Sequence, residues 1–359
     1  MITAADINDG RLQLETARKT SEAAYRTLLT AKSKPRKNDI LLTKDGTLGR
    51  LALVGDETIC INQSVAVIRP NERVEPQFLK VLLESPRYQK RMVEDAGGST
   101  IKHIYITIVD KMPLVLPLNK IEQRAIAEAL SDVDGLLGGL DRVIAKKRDI
   151  KQAAMQQLLT GQTRLPGFHG TWKAQSVAEL EKQGLVKLSR GKVISKKDIE
   201  STPGDFPIYS SSVHNDALFG RYGEFMFDEE LITWSVDGGG NFFHRPQHKF
   251  SVTNVCGFMR VDTSHISYRF FAAHLQLLHS RKSFDYQSKA HPSVVRKEYE
   301  VQLPTLAEQT VIAEMLMEMD AELAALEQRR EKTRALKQAM MQELLTGRTR
   351  LVQPEAVHA

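Results

Sequence analysis

The fold is decided by a stretch of sequence that occurs twice in the chain. Residues 121–165 read IEQRAIAEALSDVDGLLGGLDRVIAKKRDIKQAAMQQLLTGQTRL, and residues 307–351 read AEQTVIAEMLMEMDAELAALEQRREKTRALKQAMMQELLTGRTRL. The two copies align without a gap, from Ile121 with Ala307 to Leu165 with Leu351, and about half of the paired positions are identical. A long repeat dictates architecture before any single side chain matters. The chain is therefore expected to consist of two similar halves.

Each copy of the repeat is predicted to form one long helix. A residue that can cap a helix stands three positions before a Glu in both copies, as in a capping box. These pairs are Asn119 with Glu122 and Thr305 with Glu308. Gly161 and Gly347 are typical helix-ending residues. Roughly 40 residues lie between these signals, which corresponds to roughly 60 Å of helix and is too long for a small domain.

The apolar residues of both predicted helices follow alternating spacings of four and three, which is the pattern of a coiled-coil seam. They are Ile126, Leu130, Val133, Leu137, Leu140 and Ile144 in the first helix and Ile312, Leu316, Met319, Leu323 and Leu326 in the second. Gly138 and Gly139 align with Ala324 and Ala325, so two backbones could approach closely there. Two long helices with matching seams are expected to pair with each other, antiparallel if the chain folds back.

The segments that precede the two helices repeat more faintly. Asp45 aligns with Asp237, and the same alignment places Asn62 on Asn254. Alternating apolar runs separated by glycine turns indicate β-hairpins, and both segments contain a helical stretch after the second run. Each half is thus predicted to be a mixed α/β (α+β) module followed by a long helix.

The composition is typical of a soluble protein that has no membrane span and no disulfide bond. The chain has 359 residues, a net charge of +6 and two cysteines, Cys60 and Cys256. It has no run of about 18 uncharged apolar residues and no secretory signal at its start. These features favour a reducing cytoplasm, and the basic balance permits a polyanionic partner without requiring one.

The repeated peptides resemble those of the specificity subunits of type I restriction–modification enzymes, over nearly the whole chain. The peptides are Leu-Pro before Glu-Gln, at Leu116 and Leu303, then Ile-Ala-Glu, then Leu-Leu-Thr-Gly at each helix end, then Arg164-Leu-Pro-Gly-Phe. Two copies at both helix ends are more specific than one. The resemblance implies a non-catalytic subunit whose two target-recognition domains bind the two halves of a split double-stranded DNA sequence.

The family resemblance also implies partners and cofactors. The paired helices would set the gap between the DNA half-sites, and two methyltransferase (M) subunits would dock there, joined by restriction/translocase (R) subunits. S-adenosylmethionine, ATP and Mg²⁺ would be bound by those partners and none by this chain. The residues expected to contact the partners lie at the repeated helix ends: Glu122, Gln123, Leu158, Leu159, Glu308, Gln309, Leu344 and Leu345.

The predicted domains follow the repeat. They are a first recognition domain (1–118), a first spacer helix (119–165), a second recognition domain (166–304), a second spacer helix (305–351) and a tail (352–359). The segment from Trp172 to Asp237 is clearly longer than the segment from Met1 to Asp45, so the first domain is expected to be shortened at its start. A fragment, a late start codon or a naturally short domain would each explain this.

Contacts with base edges need polar or cationic side chains on loops or on a groove-entering helix, whereas phosphates need only cations and backbone donors. The loop residues that satisfy this in the first domain are Lys44, Arg50, Ser99, Thr100, Lys102 and His103. Those in the second are Arg190, Lys192, Ser211, His214, Asn215, Asn241, His244, Arg245, Lys289 and His291. A solvated turn is the alternative for each. The basic runs on the long helices, such as Lys146–Arg148, are either a solvated helix face or a contact with DNA.

No catalytic or metal site is predicted. The run after Asp237 lacks the Lys-Ser/Thr of a phosphate-binding loop and indicates a hairpin turn instead. His244 and His248 have no further ligand at a recognised spacing. The alternative function is a truncated or inactive specificity subunit that occupies methyltransferase subunits through its coiled coil without selecting DNA. A self-contained nuclease would require an acidic metal site that the sequence does not offer.

Overall fold

The computed structural model describes residues 1–94, 102–211, 215–237, 241–282 and 290–352. Two compact units are present: unit 1 is assembled from two separate parts of the chain, and unit 2 is one continuous segment. Unit 1 contains Met1–Asp141 and the chain from Gln328 onward, and unit 2 contains Arg142–Glu327. The division falls inside both long helices, so each unit holds one module and a half of each helix.

The module of unit 1 is small. Its strands are β1 (Ile7–Asn8), β2 (Arg11–Leu12), β3 (Ile40–Thr43), β4 (Leu51–Leu53) and β5 (Val65–Ile68). Its helices are α1 (Glu22–Thr27), α2 (Pro76–Glu84), α3 (Pro86–Glu94) and α4 (Ile106–Asp110), followed by the long helix α5 (Lys120–Leu158). β1 pairs with β2, and the central sheet has the order β4-β3-β5.

The module of unit 2 has more strands. They are β6 (Lys173–Ser176), β7 (Val186–Arg190), β8 (Phe206–Tyr209), β9 (Leu218–Tyr222), β10 (Phe227–Ser235), β11 (Phe242–Val252), β12 (Cys256–Val261) and β13 (Glu300–Leu303). The helices are α6 (Val177–Lys182), α7 (Lys196–Ser201), α8 (Tyr268–Ser280), α9 (Pro292–Glu298) and the long α10 (Leu306–Leu344). The main sheet has the order β7-β12-β10-β11-β8-β9, and β13 pairs with β6.

The two modules share an antiparallel three-strand centre. In unit 1, Leu42 of β3 faces Leu51 on one neighbour and Ala66 on the other. In unit 2, Trp234 of β10 faces Phe242 of β11 and Gly257 of β12 in the same way. The sequence alignment that pairs Asp45 with Asp237 therefore superimposes β3 on β10. The strands that flank the predicted hairpin turn after Asp237, β10 and β11, pair antiparallel, and residues 238–240 of the turn lie outside the described residues.

The predicted long helices are confirmed, and each has 39 residues. Asn119 accepts a hydrogen bond from the Ile121 N–H through its side chain, and Thr305 accepts one from Glu308. Both glycines expected to end the helices have a positive φ, Gly161 at 69° and Gly347 at 73°. The helices stop just before these glycines because left-handed backbone cannot continue an α-helix.

The two helices pair antiparallel within each unit. In unit 1, Lys337 bridges to Asp134 at 2.6 Å and Arg330 to Asp141 at 3.3 Å, so the partner number falls as the other rises. In unit 2, Lys147 pairs with Glu322 at 2.7 Å and Lys151 pairs with Asp320, which gives the same antiparallel order. Every residue of the predicted seam is buried or half-buried. The mixed α/β fold with an antiparallel coiled coil is thus confirmed.

One detail of the predicted helix pairing, the close approach of two backbones at Gly138 and Gly139, is not found at Gly139. A Cβ built on Gly139 would meet no atom within 4 Å among the described residues, and the same is true of Gly135. The backbones therefore do not approach closely at Gly139. Among the described residues, no helix is long and apolar enough to cross a membrane.

Candidate nucleic-acid interface

Polar loops of the second module converge at one place, which we call the second loop cluster: Arg190–Lys192, Tyr209–Ser211, Val236–Asp237 and Thr253–Cys256. Backbone hydrogen bonds join these loops directly. Gly191 donates to the Cys256 carbonyl at 3.1 Å, Val236 to Val255 at 3.0 Å and Thr253 to Tyr209 at 2.9 Å. A Cβ at Gly191 would clash with the carbonyl oxygens of Val252 and Thr253, so the close approach requires glycine there.

Several predicted DNA-binding residues lie on or beside this cluster. Arg190 and Lys192 are exposed, and Ser211 is half-buried. His291 accepts a hydrogen bond from the Ser293 N–H at the start of α9 and lies near Arg190. Burial lowers the pKa of His291, and the charges of Arg190 and Arg296 lower it further. A neutral imidazole beside the exposed Arg190 suits contact with a polyanion and with base edges.

Three predicted residues of the second module have partners inside the chain. Asn241 accepts a hydrogen bond from Gln276 at 3.0 Å, and His244 lies 2.6 Å from a Glu230 carboxylate oxygen. Burial lowers the pKa of His244, against the opposing effect of Glu230. Arg245 is only 2% exposed and pairs with Asp216. Because its guanidinium is enclosed, we do not retain Arg245 among the residues that could touch DNA.

The first module has an equivalent, smaller grouping, which we call the first loop cluster: Lys44–Asp45, Asn62–Ser64 and His103–Ile104. Lys44 donates its backbone N–H to Ser64 at 2.9 Å and accepts one from Ile104 at 3.0 Å. Asp45 and His103 form a β-bridge and their side chains are in contact. The first loop cluster thus follows β3, as Val236–Asp237 of the second loop cluster follows β10.

The remaining predicted DNA-binding residues of the two modules are either described by the structure or lie outside the described residues. Lys102 is exposed beside His103, and the Arg50 guanidinium donates to the Ile7 carbonyl at 3.1 Å. Four predicted DNA-binding residues, Ser99, Thr100, His214 and Lys289, and the side chain of Asn215 lie outside the described residues. The aligned residues Asn62 and Asn254 both lie at turns, where Asn62 accepts hydrogen bonds from the backbone and hydroxyl of Ser64.

All eight residues expected to contact partner subunits are buried within their own unit. They are Glu122, Gln123, Leu158, Leu159, Glu308, Gln309, Leu344 and Leu345. The leucines belong to clusters that pack each helix end against a module. This packing accounts for their repetition without a partner, and the partner contact stays a prediction.

The buried polar pairs form what we call the module joints. In the second joint, Arg164 holds the buried Glu308 carboxylate with two hydrogen bonds of 2.6 Å. In the first joint, Arg350 holds Glu122 in the same bidentate manner. Each pair links the end of one long helix to the start of the other within one unit. The sequence contained this signal, since both arginines follow the Leu-Leu-Thr-Gly peptide at the same spacing.

A buried glutamine completes each joint. Gln309 accepts a hydrogen bond from Ser267 N–H at 2.9 Å and donates to the carbonyls of Pro304 and His265 at 3.0 and 3.1 Å. Gln123 makes the matching set, accepting from Glu75 at 2.7 Å and donating to Pro117 and Arg73 at 2.7 and 3.2 Å. The Glu-Gln dipeptide thus fixes the module to the helix start in both units.

The basic runs of the long helices take part in pairing. Lys147 and Arg148 bridge to Glu322 and Glu327 in unit 2, and Arg330 bridges to Asp141 in unit 1. These cations are compensated by the opposite helix. Among the described residues, no group of three His, Cys, Asp or Glu side chains could hold a metal ion.

Two similar modules, each fixed by the same joint to a pair of long helices, define a two-module protein built on a helical spacer. The family described as type I restriction modification DNA specificity domain matches residues 9–144 and 177–335. The chain therefore belongs to the type I restriction–modification specificity family.

A curated relative agrees with this membership, and two solved structures agree with the fold. A putative type I specificity subunit of Mycoplasma pneumoniae is 32% identical over 136 residues, which is 37% of this chain and 44% of that relative. The match thus spans less than half of that relative's length. The crystal structure of a type I restriction–modification S subunit from M. genitalium matches 88% of this chain and 84% of its own, with a TM-score of 0.63 and 20% identity. A structure described as concerning complex assembly and conformational transition of the type I system matches 95% and 89%, with a TM-score of 0.58 and 16% identity.

Proposed function

We propose that this chain is the non-catalytic subunit that selects the DNA sequence for a type I restriction–modification enzyme, with one module for each half of a split, double-stranded target. Membership of the specificity family supports the role in DNA recognition. The observation that carries the two-part target is the pair of equivalent loop clusters, which occupy the same place after β3 and after β10 but present different side chains. Two similar scaffolds with different loops suit two different half-sites.

The joints support a fixed spacing between the half-sites. Each module is attached through a fully buried Glu and Gln rather than through a flexible linker. A helical spacer sets the separation of two binding sites far more narrowly than a random coil of the same length. Adding or removing turns of α5 and α10 together is therefore expected to change the length of the unspecified DNA between the half-sites.

The chemistry belongs to partners in this proposal. Two methyltransferase subunits would dock on the paired helices, and restriction/translocase subunits would join that complex. Those subunits would bind S-adenosylmethionine, ATP and Mg²⁺. This chain would contribute the positioning of the DNA, through the cations and polar side chains of the two loop clusters.

The test is to co-purify the chain with its cognate methyltransferase subunit and to map methylated adenines across genomic DNA. A single split motif, modified in both halves, is the expected result, and its two halves would be assigned by replacing one loop cluster at a time. Arg190→Ala with Lys192→Ala addresses the second cluster and Lys44→Ala with Lys102→Ala the first. Each loss of a phosphate contact should reduce the dependence of affinity on the logarithm of salt concentration by about one.

Two other outcomes would contradict the proposal in different ways. A stable complex that methylates no defined motif would favour the alternative function, a subunit that occupies methyltransferases through its helices without selecting DNA. Failure of the chain to bind any methyltransferase subunit would remove the assignment of its partners altogether.

A further inference from the structure

Arg245 is an arginine on β11 whose charge is enclosed by the second module. Its Nε donates to the Thr233 hydroxyl at 3.0 Å, and its two terminal nitrogens donate to the Asp216 carboxylate at 2.6 Å and the Asp216 carbonyl at 2.8 Å. The guanidinium carbon lies 3.7 Å from the centre of the Tyr209 ring and 4.6 Å from that of Phe243. Both the edge and the face of the guanidinium are thus engaged.

Stability alone does not explain this arrangement. Burying a guanidinium carries a desolvation cost that a single carboxylate repays poorly, and well-packed apolar side chains often serve a core better. The carboxylate that pairs with Arg245 is itself mostly exposed, since the Asp216 side chain has a relative accessibility of 68%. The core therefore uses a buried cation to hold one surface residue.

The residue that Arg245 holds is in a strained conformation. Asp216 has φ 53° and ψ 32°, and Ala217 beside it has φ 60°. Left-handed backbone is unfavourable for a non-glycine residue, so two such residues in succession persist only when their surroundings fix them. Arg245 binds both the side chain and the carbonyl of Asp216, which fixes the peptide plane as well as the side chain.

The clamped residues are joined to the second loop cluster. Ser210 donates its N–H to the Ala217 carbonyl at 3.0 Å, and its hydroxyl lies 2.8 Å from that of Thr253. The conformation of Asp216 and Ala217 is thereby linked to the end of β8 and to the turn after β11. Ser211, one of the predicted DNA-binding residues, follows Ser210 directly.

We propose that Arg245 is a positioning residue for DNA recognition: by clamping Asp216 it holds Ser210 in place and thereby presets Ser211 in the one conformation that discriminates between bases in the half-site bound by the second module. The inference rests on the proposed function of that module. It assigns specificity to a side chain that does not itself reach the DNA.

The test uses the complex of the full chain with its methyltransferase subunit and compares three variants. Arg245→Lys keeps the charge but cannot make both contacts with Asp216. Asp216→Asn keeps a hydrogen-bond acceptor but removes the negative charge. Because the Asp216 side chain is exposed, this substitution opens no cavity, so it can still test the inference if Arg245→Lys does not fold. Arg260→Lys is the control, since Arg260 also clamps a carboxylate and lies over two rings, but the carboxylate it holds belongs to Glu229 of β10 and not to Asp216.

Each variant is scored by the frequency of methylation at every motif carrying one wrong base pair. Arg245→Lys and Asp216→Asn are expected to reduce discrimination about tenfold at positions in one half-site only, which is the size of one good base contact. The other half-site serves as an internal measure of folding and assembly. Arg260→Lys is expected to leave both halves unchanged.

Unchanged discrimination in both Arg245→Lys and Asp216→Asn would overturn the inference, and so would an equal loss in both half-sites, which would mean general damage to the fold. If the unaltered chain itself directs no split motif, the proposed function has failed instead. The two failures are therefore distinguishable.

Discussion

The first and second modules share a three-strand centre and a joint, but the second module surrounds that centre with much more structure. Around β10 it adds β7 on one side and the hairpin of β8 and β9 on the other, whereas the sheet around β3 has the order β4-β3-β5 alone. What repeats is the set of contacts that attaches a module to the helices. What differs is the outer structure around the loop clusters, where a difference between half-sites would be encoded.

The joints also differ at one buried position. In unit 2, His274 of α8 lies 2.7 Å from the Leu159 carbonyl through Nδ1, and its Nε2 accepts a hydrogen bond from the Gln302 N–H at 3.3 Å. In the alignment that pairs Asp45 with Asp237, the equivalent residue of α2 is Leu82, which lies in the apolar core of unit 1. The second joint is therefore polar and titratable where the first is apolar.

The first prediction concerns the buried glutamines Gln123 and Gln309, which the two joints share, and it has the greatest magnitude. Gln123→Ala and Gln309→Ala each remove three hydrogen bonds to backbone groups and leave those groups unpaired in a buried site. At about 1 kcal/mol or more for each unpaired group, each change should cost its own unit about 3 kcal/mol of unfolding free energy. Hydrogen exchange in β3 reports on unit 1, and exchange in β10 reports on unit 2.

The matched controls are Gln338→Ala in unit 1 and Gln152→Ala in unit 2, both exposed on the long helices. They should change stability by less than about 0.5 kcal/mol. A large loss of stability in one glutamine variant and none in the other would contradict the equivalence of the two joints. The joints would then have different energetic roles despite their matching geometry.

The second prediction concerns His274, at which the two joints differ, and the dependence of the stability of unit 2 on pH. Burial lowers the pKa of His274 from its ordinary 6.5 to about 4. Well above pH 6.5 this residue is neutral in both folded and unfolded chains and contributes no pH dependence. As the pH falls from 6.5 towards 4, the unfolded chain binds a proton that the folded unit excludes, so unit 2 loses up to about 3 kcal/mol of stability.

His274→Leu makes the second joint resemble the first and should remove most of this loss between pH 6.5 and 4. His244 acts in the same direction more weakly, because burial also lowers its pKa. The measurement is the denaturant unfolding of unit 2 at several pH values, monitored through the hydrogen exchange of the β10 amides. An unaltered acid profile in His274→Leu would show that the polar joint does not govern the acid sensitivity of unit 2.

Much of the fold could be predicted from the sequence because it rests on local and repeated signals. Helix ends depend on Asn119, Thr305, Gly161 and Gly347, which act on their own neighbours, and the seam follows from helical periodicity. The composition of the two units could not be predicted in this way. It depends on which distant segments come together, as Arg350 and Glu122 do: the repeat marks both residues but does not show that they pair with each other.

The candidate interface was harder to predict for a different reason. Residue type identified Arg190, Arg245 and His244 equally well, yet Arg190 is exposed while the other two are engaged inside the module. Strand register decides this for Arg245, which stands opposite Leu231 on β10 and turns inward beside Thr233. Register depends on pairing between distant segments, and a shift by one residue would reverse the outcome.

The smallest expected effect compares the two long helices. The first has Gly135, Gly138 and Gly139 where the second has Ala321, Ala324 and Ala325 at the aligned positions. A Cβ added at Gly135 or Gly139 would meet no atom within 4 Å, so Gly135→Ala and Gly139→Ala should each stabilise unit 1 by up to about 1 kcal/mol. Thermal unfolding of each variant, and of the reverse change Ala325→Gly, measures this.

If stability rises while affinity for the methyltransferase subunit falls, the open glycine face is reserved for that partner. If stability falls instead, the glycines serve the pairing of the two helices, and the first helix differs from the second for a reason internal to the chain.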